Sequence, residues 1–236
     1  MEHQVYKVNE ITQHFINSLS FEEPLLDKRY YFIKNNTDFY IQLNVSFHSN
    51  CYKYSDRMYC SIICDELTNE MFLKFDNSFV DRIYKMFPLW FNKRIELESL
   101  IEYYVPSVLI EDNDNDDGGM FEDISDDDSS NDSSVDSNND SNDDTSDDSN
   151  HDTNNEDVDH ITELDVNYVI CEIPYDYVEN DLDIMIYDNN NELIEIEWSD
   201  LELCNKSCVC VVKLKGIKIE DSKFYAIWDI IQIKLN

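Results

Sequence analysis

The chain has 236 residues carrying 52 acidic and 17 basic side chains, a formal charge of -35. Three glycines (Gly118, Gly119, Gly216) cannot build a phosphate-cradling loop, and the five histidines form no H-x-x-x-H or nucleophile-elbow pattern, so nucleotide-dependent catalysis and the common hydrolase chemistries are not expected. The opening MEHQVYKVNEITQHF lacks a basic segment followed by an apolar core, and no run of about 18 apolar residues occurs, so neither secretion nor a membrane-spanning helix is expected.

In chain order, Val8 to Leu19 reads as a short helix with Asn9 as its cap. Segments 29–34, 39–47 and 58–64 read as strands; in the second, Phe39, Ile41, Leu43, Val45 and Phe47 alternate with Tyr40, Gln42, Asn44 and Ser46, the period of a half-buried strand. From Asn77 to Phe91, Phe79, Ile83, Phe87 and Trp90 recur at helical spacing, and the helix is expected to end near Pro88 or just beyond it. A second helix follows from Ile95 to Tyr104, stopped by Pro106.

No lysine or arginine occurs from Ile95 to Asn205, and within that stretch Glu111 to Asp165 holds 23 acidic residues among Ser, Asn and Thr. The rest of the chain keeps 29 acidic against 17 basic residues, a net of -12. With almost no apolar side chains to offset the entropy of ordering, residues 111–165 are expected to be a disordered, self-repelling insert. No D-x-D-x-D-G loop closed by a glutamate suggests calcium binding, and Ser and Thr set among acids suit an acidophilic kinase.

Beyond the insert, 168–173 and 182–187 read as strands, and Asp188 to Asn191 as a turn into a strand at 192–197. Two long strands, 207–219 and 224–235, close the pattern, with Gly216 expected to shift the register of the first. The whole is mostly β with a helical insertion (α+β), a small β-barrel or sandwich. One domain is expected, built from residues 1–110, with helices near 77–104, and residues 166–236, and interrupted by the insert.

The seven cysteines are odd in number and sit mainly in apolar runs, which suits free thiols in a reducing compartment. Cys204-x-x-x-Cys208-x-Cys210 invites a zinc reading, yet Cys208 and Cys210 share a strand face as packed small residues would, and no metal or other cofactor is expected. Phe39, Phe47, Phe72, Phe75, Phe79, Phe87, Trp90, Phe91 and Trp228 read as core. Tyr30, Tyr31, Tyr40, Tyr52 and Tyr54 cluster with Lys28, Arg29, Lys34, Lys53 and Arg57, and a second basic stripe holds Lys213, Lys215, Lys218, Lys223 and Lys234. Rings beside cations are what single-stranded nucleic acid requires, since bases stack and phosphates pair; an ordinary strand surface, or an edge guarded by lysine, is the other account.

Cys210-Val-Val-Lys-Leu-Lys-Gly-Ile-Lys-Ile219, the turn after it, and Phe224-Tyr-Ala-Ile-Trp-Asp-Ile-Ile-Gln-Ile-Lys234 resemble the closing hairpin of a family in nucleocytoplasmic large DNA viruses. Phe39-Tyr-Ile-Gln-Leu43 is similar to that family's early Phe-x-Ile-Gln strand, and Trp90-Phe91 before Tyr103-x-x-Pro106-Ser107 to its Trp-Phe helix and following segment. Lys218 and Tyr225 depart from the aromatic and glycine usual there, and the acidic run is internal rather than a tail.

The resemblance implies an oligonucleotide-binding (OB) fold and a non-catalytic single-stranded DNA-binding protein that supports viral genome replication in the host cytoplasm or viral factory, or in the virion. Contacts to DNA are then expected from Lys28, Arg29, Lys34, Tyr40, Lys53, Tyr54, Lys213 and Lys215. The alternative is an acidic virion-associated or interaction protein that engages basic proteins through the insert and binds no nucleic acid.

Overall fold

Residues 4–27, 29–54, 57–111, 166–176, 181–196 and 203–236 are described by the computed structural model; the expectations for 112–165 and for Lys28 lie outside them. The N-terminal strands are β1 (Val5–Lys7), β2 (Leu25–Asp27), β3 (Tyr30–Lys34), β4 (Tyr40–Phe47), β5 (Tyr52–Tyr54) and β6 (Arg57–Cys64). After helices α1 (Gln13–Ser18), α2 (Glu66–Phe91) and α3 (Leu97–Tyr103) come β7 (Tyr104–Val105) and β8 (Val108–Ile110). Then follow β9 (Asn167–Ile173), β10 (Tyr175–Asp176), β11 (Asp181–Leu182), β12 (Met185–Tyr187), β13 (Ser207–Glu220) and β14 (Lys223–Leu235). Strand dominates, and the fold is β-rich α+β.

Five strands join edge to edge until they return to the first. β4 pairs antiparallel with β6 through Val45–Cys64 and Phe47–Ile62, and β6 pairs antiparallel with β9 through Cys60–Cys171. β9 meets β14 in parallel at Glu172 and Asp229; β14 pairs antiparallel with β13, and β13 pairs antiparallel with β4 from Ser207–Ser46 to Val212–Ile41. Alternation sorts the side chains: Ile41, Leu43, Phe47, Met58, Cys60, Ile62, Val169, Cys171, Cys210 and Val212 are fully enclosed, while Gln42 and Asn44 are exposed. Cys208 and Cys210 sit inside with their sulfurs 3.5 Å apart. Among the described residues no group of acids, cysteines and histidines is placed to hold a metal.

Helix α2 supplies an aromatic layer packed against Trp228 and Phe39. Asp65 caps it by accepting from the Thr68 N–H at 2.8 Å, and Met71, Phe72, Phe75, Phe79 and Ile83 recur on one buried face. Phe72 and Phe75 meet the Trp228 ring edge-on at 5.0 and 5.1 Å, and Phe75 stacks on Phe39 at 6.1 Å. Asp76 is buried on the same helix. Its carboxylate accepts from the Tyr104 hydroxyl (2.8 Å), the Ser107 N–H (2.8 Å) and the Ser107 hydroxyl (2.6 Å), and Trp228 Nε1 donates to Ser107 Oγ at 3.4 Å. Burial pushes the Asp76 carboxyl above its ordinary range, while the donors on Ser107 and Tyr104 pull it back.

β13 has two neighbours along one edge, β4 for its first half and β3 from Gly216–Lys34 to Ile219–Tyr31. Asn35 holds the fork: its N–H donates to the Lys215 carbonyl at 3.0 Å, and its side-chain amide donates to the Leu214 carbonyl at 3.2 Å. The register against β14 shifts between Leu214 and Gly216, as the glycine led one to expect. A Cβ at Gly216 would overlap the Ile33 carbonyl oxygen and stand 2.8 Å from the Phe32 ring. Gly216→Ala is therefore expected to destabilise the fold by about 1–3 kcal/mol, as overpacking does; an unchanged urea midpoint would show that β3 can withdraw without cost.

Three local expectations need correction. The single helix at 8–19 is a 3-10 turn (Val8–Glu10) followed by α1, because Thr12 rather than Asn9 caps it, accepting from the Phe15 N–H at 3.2 Å. α2 begins eleven residues earlier than expected, at Glu66, while its end at Phe91, just beyond Pro88 and followed by a left-handed Asn92, is where the sequence placed it. The strand expected at 192–197 is reduced, among the residues described, to one bridge, Tyr187–Leu193. Asp188 curls that turn by accepting from the Asn190 and Glu192 N–H groups, both at 2.8 Å, while β12 pairs in parallel with β14 instead.

Candidate nucleic-acid interface

Residues between the enclosed ones point outward, and five of them fall into one row across the strands. Tyr52 pairs with Tyr59, Tyr59 with Glu172, Glu172 with Asp229, and Asp229 with Lys213. Lys213 Nζ then lies 5.5 Å from the centre of the Tyr40 ring. The row has aromatic ends and a charged middle. Tyr52 and Tyr59 stack at 5.9 Å with 26° between planes.

Glu172 is the hub of the charged middle. One carboxylate oxygen accepts from Arg57 Nη1 and the other from Lys215 Nζ at 3.1 Å, with only 8% of the side chain exposed. Burial pulls the Arg57 guanidinium down, and the Glu172 charge more than offsets it, so the net shift is upward. Arg57 Nη2 donates to the Tyr30 hydroxyl at 2.7 Å, which in turn donates to Asp27 at 2.7 Å. Lys218 Nζ lies 4.7 Å from the centre of the Tyr30 ring. The hairpin of β2 and β3 is thereby tied to β6 and β13 through one tyrosine.

Asp229 is buried beside this hub and shares Lys215 with it at longer range. Its Oδ1 is 3.7 Å from Lys215 Nζ and has no hydrogen-bond partner among the described residues. Burial pushes its carboxyl up to about 6, against the opposing pull of Lys215. Lys213 finds its anion elsewhere, in Asp38 at 2.7 Å.

The expected contact residues divide. Lys213, Lys215 and Tyr40 come together on the row, with Tyr40 buried and one face of its ring occupied by Lys213. Lys53 and Tyr54 lie on β5, beside Met58 and Arg57 of β6; Lys53 Nζ stands 5.9 Å from the Tyr175 ring, and Tyr54 is exposed. Lys34 is farther along β3, 3.7 Å from Glu22, and Arg29 is exposed at the turn between β2 and β3. Sequence reasoning missed the anions. Glu172 and Asp229 are acids inside apolar strands, a signal that was legible; their partners, drawn from separate strands, were not.

Lys34, Arg57, Lys213, Lys215 and Lys218 each have a carboxylate within 4 Å, the last in Glu220 at 2.5 Å. The face is therefore close to neutral despite its cations. A phosphate arriving there exchanges with a carboxylate rather than only with released salt ions.

No protein-family model and no curated protein matches the chain. Among solved structures it is similar to the single-stranded DNA-binding protein from bacteriophage Enc34 in complex with ssDNA, at 8% identity and a TM-score of 0.37, over 92% of this chain and 95% of that one. A likeness of that size carries no weight toward function.

Proposed function

We propose that the barrel is an OB-type module and that its outer face across β5, β6, β9, β14 and β13 binds single-stranded DNA without catalysis. The observation that supports this most is the in-register row from Tyr52 to Lys213, flanked by Arg57 and Lys215: rings for bases to stack on stand next to cations for phosphates. The strand order β4, β6, β9, β14, β13 and back to β4, with one parallel joint, supports the OB reading, since five strands closing into a barrel is what such a module needs. In this reading residues 1–110 and 166–236 build one domain around the acidic insert. Lys53, Tyr54, Lys213 and Lys215 contact DNA, with Arg29 and Lys34 at the periphery and Tyr40 supporting Lys213; Lys28, outside the described residues, is proposed as a further contact. The setting is genome replication of a large DNA virus.

A second reading draws on the same charges. Because the cations of the face are already paired and the insert holds 23 acids, the chain instead engages basic proteins through the insert.

Fluorescence anisotropy of a labelled oligothymidylate separates the two. The intact chain, and one with residues 112–165 replaced by a short Gly/Ser linker, are titrated at about 50 and 200 mM salt. The expected result is binding that weakens by about tenfold over that range and tightens when the insert is removed. Absence of binding by either chain at the lower salt would discard the DNA reading in favour of the protein-partner one.

A further inference from the structure

Resting on the DNA reading above, we infer that Glu172, although an acid on a phosphate-binding face, is a positioning residue without which DNA binds more weakly. Its two oxygens are each committed to a different cation, Arg57 on β6 and Lys215 on β13. β9 and β14 lie between those strands. A single buried carboxylate thus spans the parallel joint and fixes two cations whose stems would otherwise leave them free to point into solvent. Arg57 keeps further N–H groups for a phosphate after giving one to Glu172 and one to the Tyr30 hydroxyl, and Lys215 remains 43% exposed. Held this way, both cations meet an incoming phosphate without first losing rotamer freedom.

Asp229 is the internal contrast. It is paired with Glu172 in register, is about as buried and carries the same formal charge, yet its hold on the cations is looser: Lys215 is 3.1 Å from Glu172 and hydrogen-bonded to it but 3.7 Å from Asp229, and Lys213 is held by Asp38. If charge alone mattered, neutralising either acid would strengthen phosphate binding. Positioning predicts opposite signs.

The experiment is oligothymidylate anisotropy on the full chain across a salt series at about pH 7.5, with Glu172→Gln, Glu172→Asp and Asp229→Asn, each checked for its melting transition. Glu172→Gln is expected to weaken binding by about tenfold, with the salt slope falling by about 0.7 for each phosphate no longer engaged. Asp229→Asn is expected to tighten binding. Glu172→Asp preserves charge but draws the carboxylate back by one methylene; it is expected to fall between wild type and Glu172→Gln, and it keeps the test open should Glu172→Gln fail to fold. Equal or tighter binding by Glu172→Gln, or wild-type binding by Glu172→Asp, overturns the inference while leaving the DNA reading intact. A wild-type chain that binds nothing at the lowest salt removes the DNA reading and this inference with it.

Discussion

Replacing Asp76 with alanine is expected to lower the unfolding free energy by about 3–5 kcal/mol, because three donors lose their acceptor in a buried setting at once. The Ser107 N–H and hydroxyl and the Tyr104 hydroxyl all converge on this carboxylate, and Trp228 Nε1 joins the same group through Ser107. The network joins α2 to the segment leading through β7 into β8, and through Trp228 to β14, so its loss loosens the helix whose aromatic face packs on Trp228. Ser107→Ala is the calibrating variant: it leaves Asp76 two donors and is expected to cost about 1–2 kcal/mol. Urea unfolding followed by tryptophan fluorescence measures both, since Trp228 is within the network. A loss under about 1 kcal/mol for Asp76→Ala would mean that water reaches these donors and that the helix is held by its aromatic face alone.

The second large effect runs in the stabilising direction. Asp229→Asn is expected to raise stability at about pH 7.5 by about 2–3 kcal/mol, the free-energy equivalent of the displaced titration of a buried carboxyl. Its folded-state carboxyl titrates at about 6 rather than at the ordinary value of 3.8. Between those values the folded chain holds a proton that the unfolded chain has released. Stability from this group is therefore full below about pH 4, falls as pH rises through about 6, and stays low above it. Asparagine removes that loss, so the gain should be largest above about pH 7 and vanish near about pH 4. Melting curves of wild type and variant from about pH 4 to 8 provide the check, with an expected difference of roughly 4–10 °C at the alkaline end. A gap that does not change with pH would locate the effect outside the titration of Asp229.

Much of the barrel was legible in the sequence alone. β4 displays its two faces by strict alternation, and β13 and β14 are long apolar runs whose register shift is marked by Gly216. Their partners were less so, because pairing is decided by matches between strands far apart in sequence. The joint of β9 with β14 consists of one matched pair, Glu172 and Asp229, and nothing local to either residue points to the other. The helix start at Asp65 did have a local signal, an aspartate three residues before Thr68 and next to Glu66, but the polar first turn hid it from a search for apolar periodicity. The site was half visible for a similar reason. Lysines near tyrosines can be read from neighbouring positions, whereas Asp38 under Lys213 and Glu172 under Lys215 come from distant parts of the chain. Closing the barrel brought them in and neutralised the face.

The antiparallel seam between β4 and β13 joins segments made at very different times. From Phe47 to Ser207 is a step of 160 residues, which a ribosome takes roughly 10–30 s to complete. Throughout that interval β4 has β6 on one edge and, on the other, no β13. Its open hydrogen-bonding edge and the apolar face of Ile41, Leu43, Val45 and Phe47 are available to any neighbouring nascent chain. Nor does the earlier arrival of β9 end the exposure, because β9 adds to β6 and leaves the β4 edge as it was. The barrel is thus a structure that cannot be finished in instalments: the free edge of its first long strand is covered only when β13 emerges.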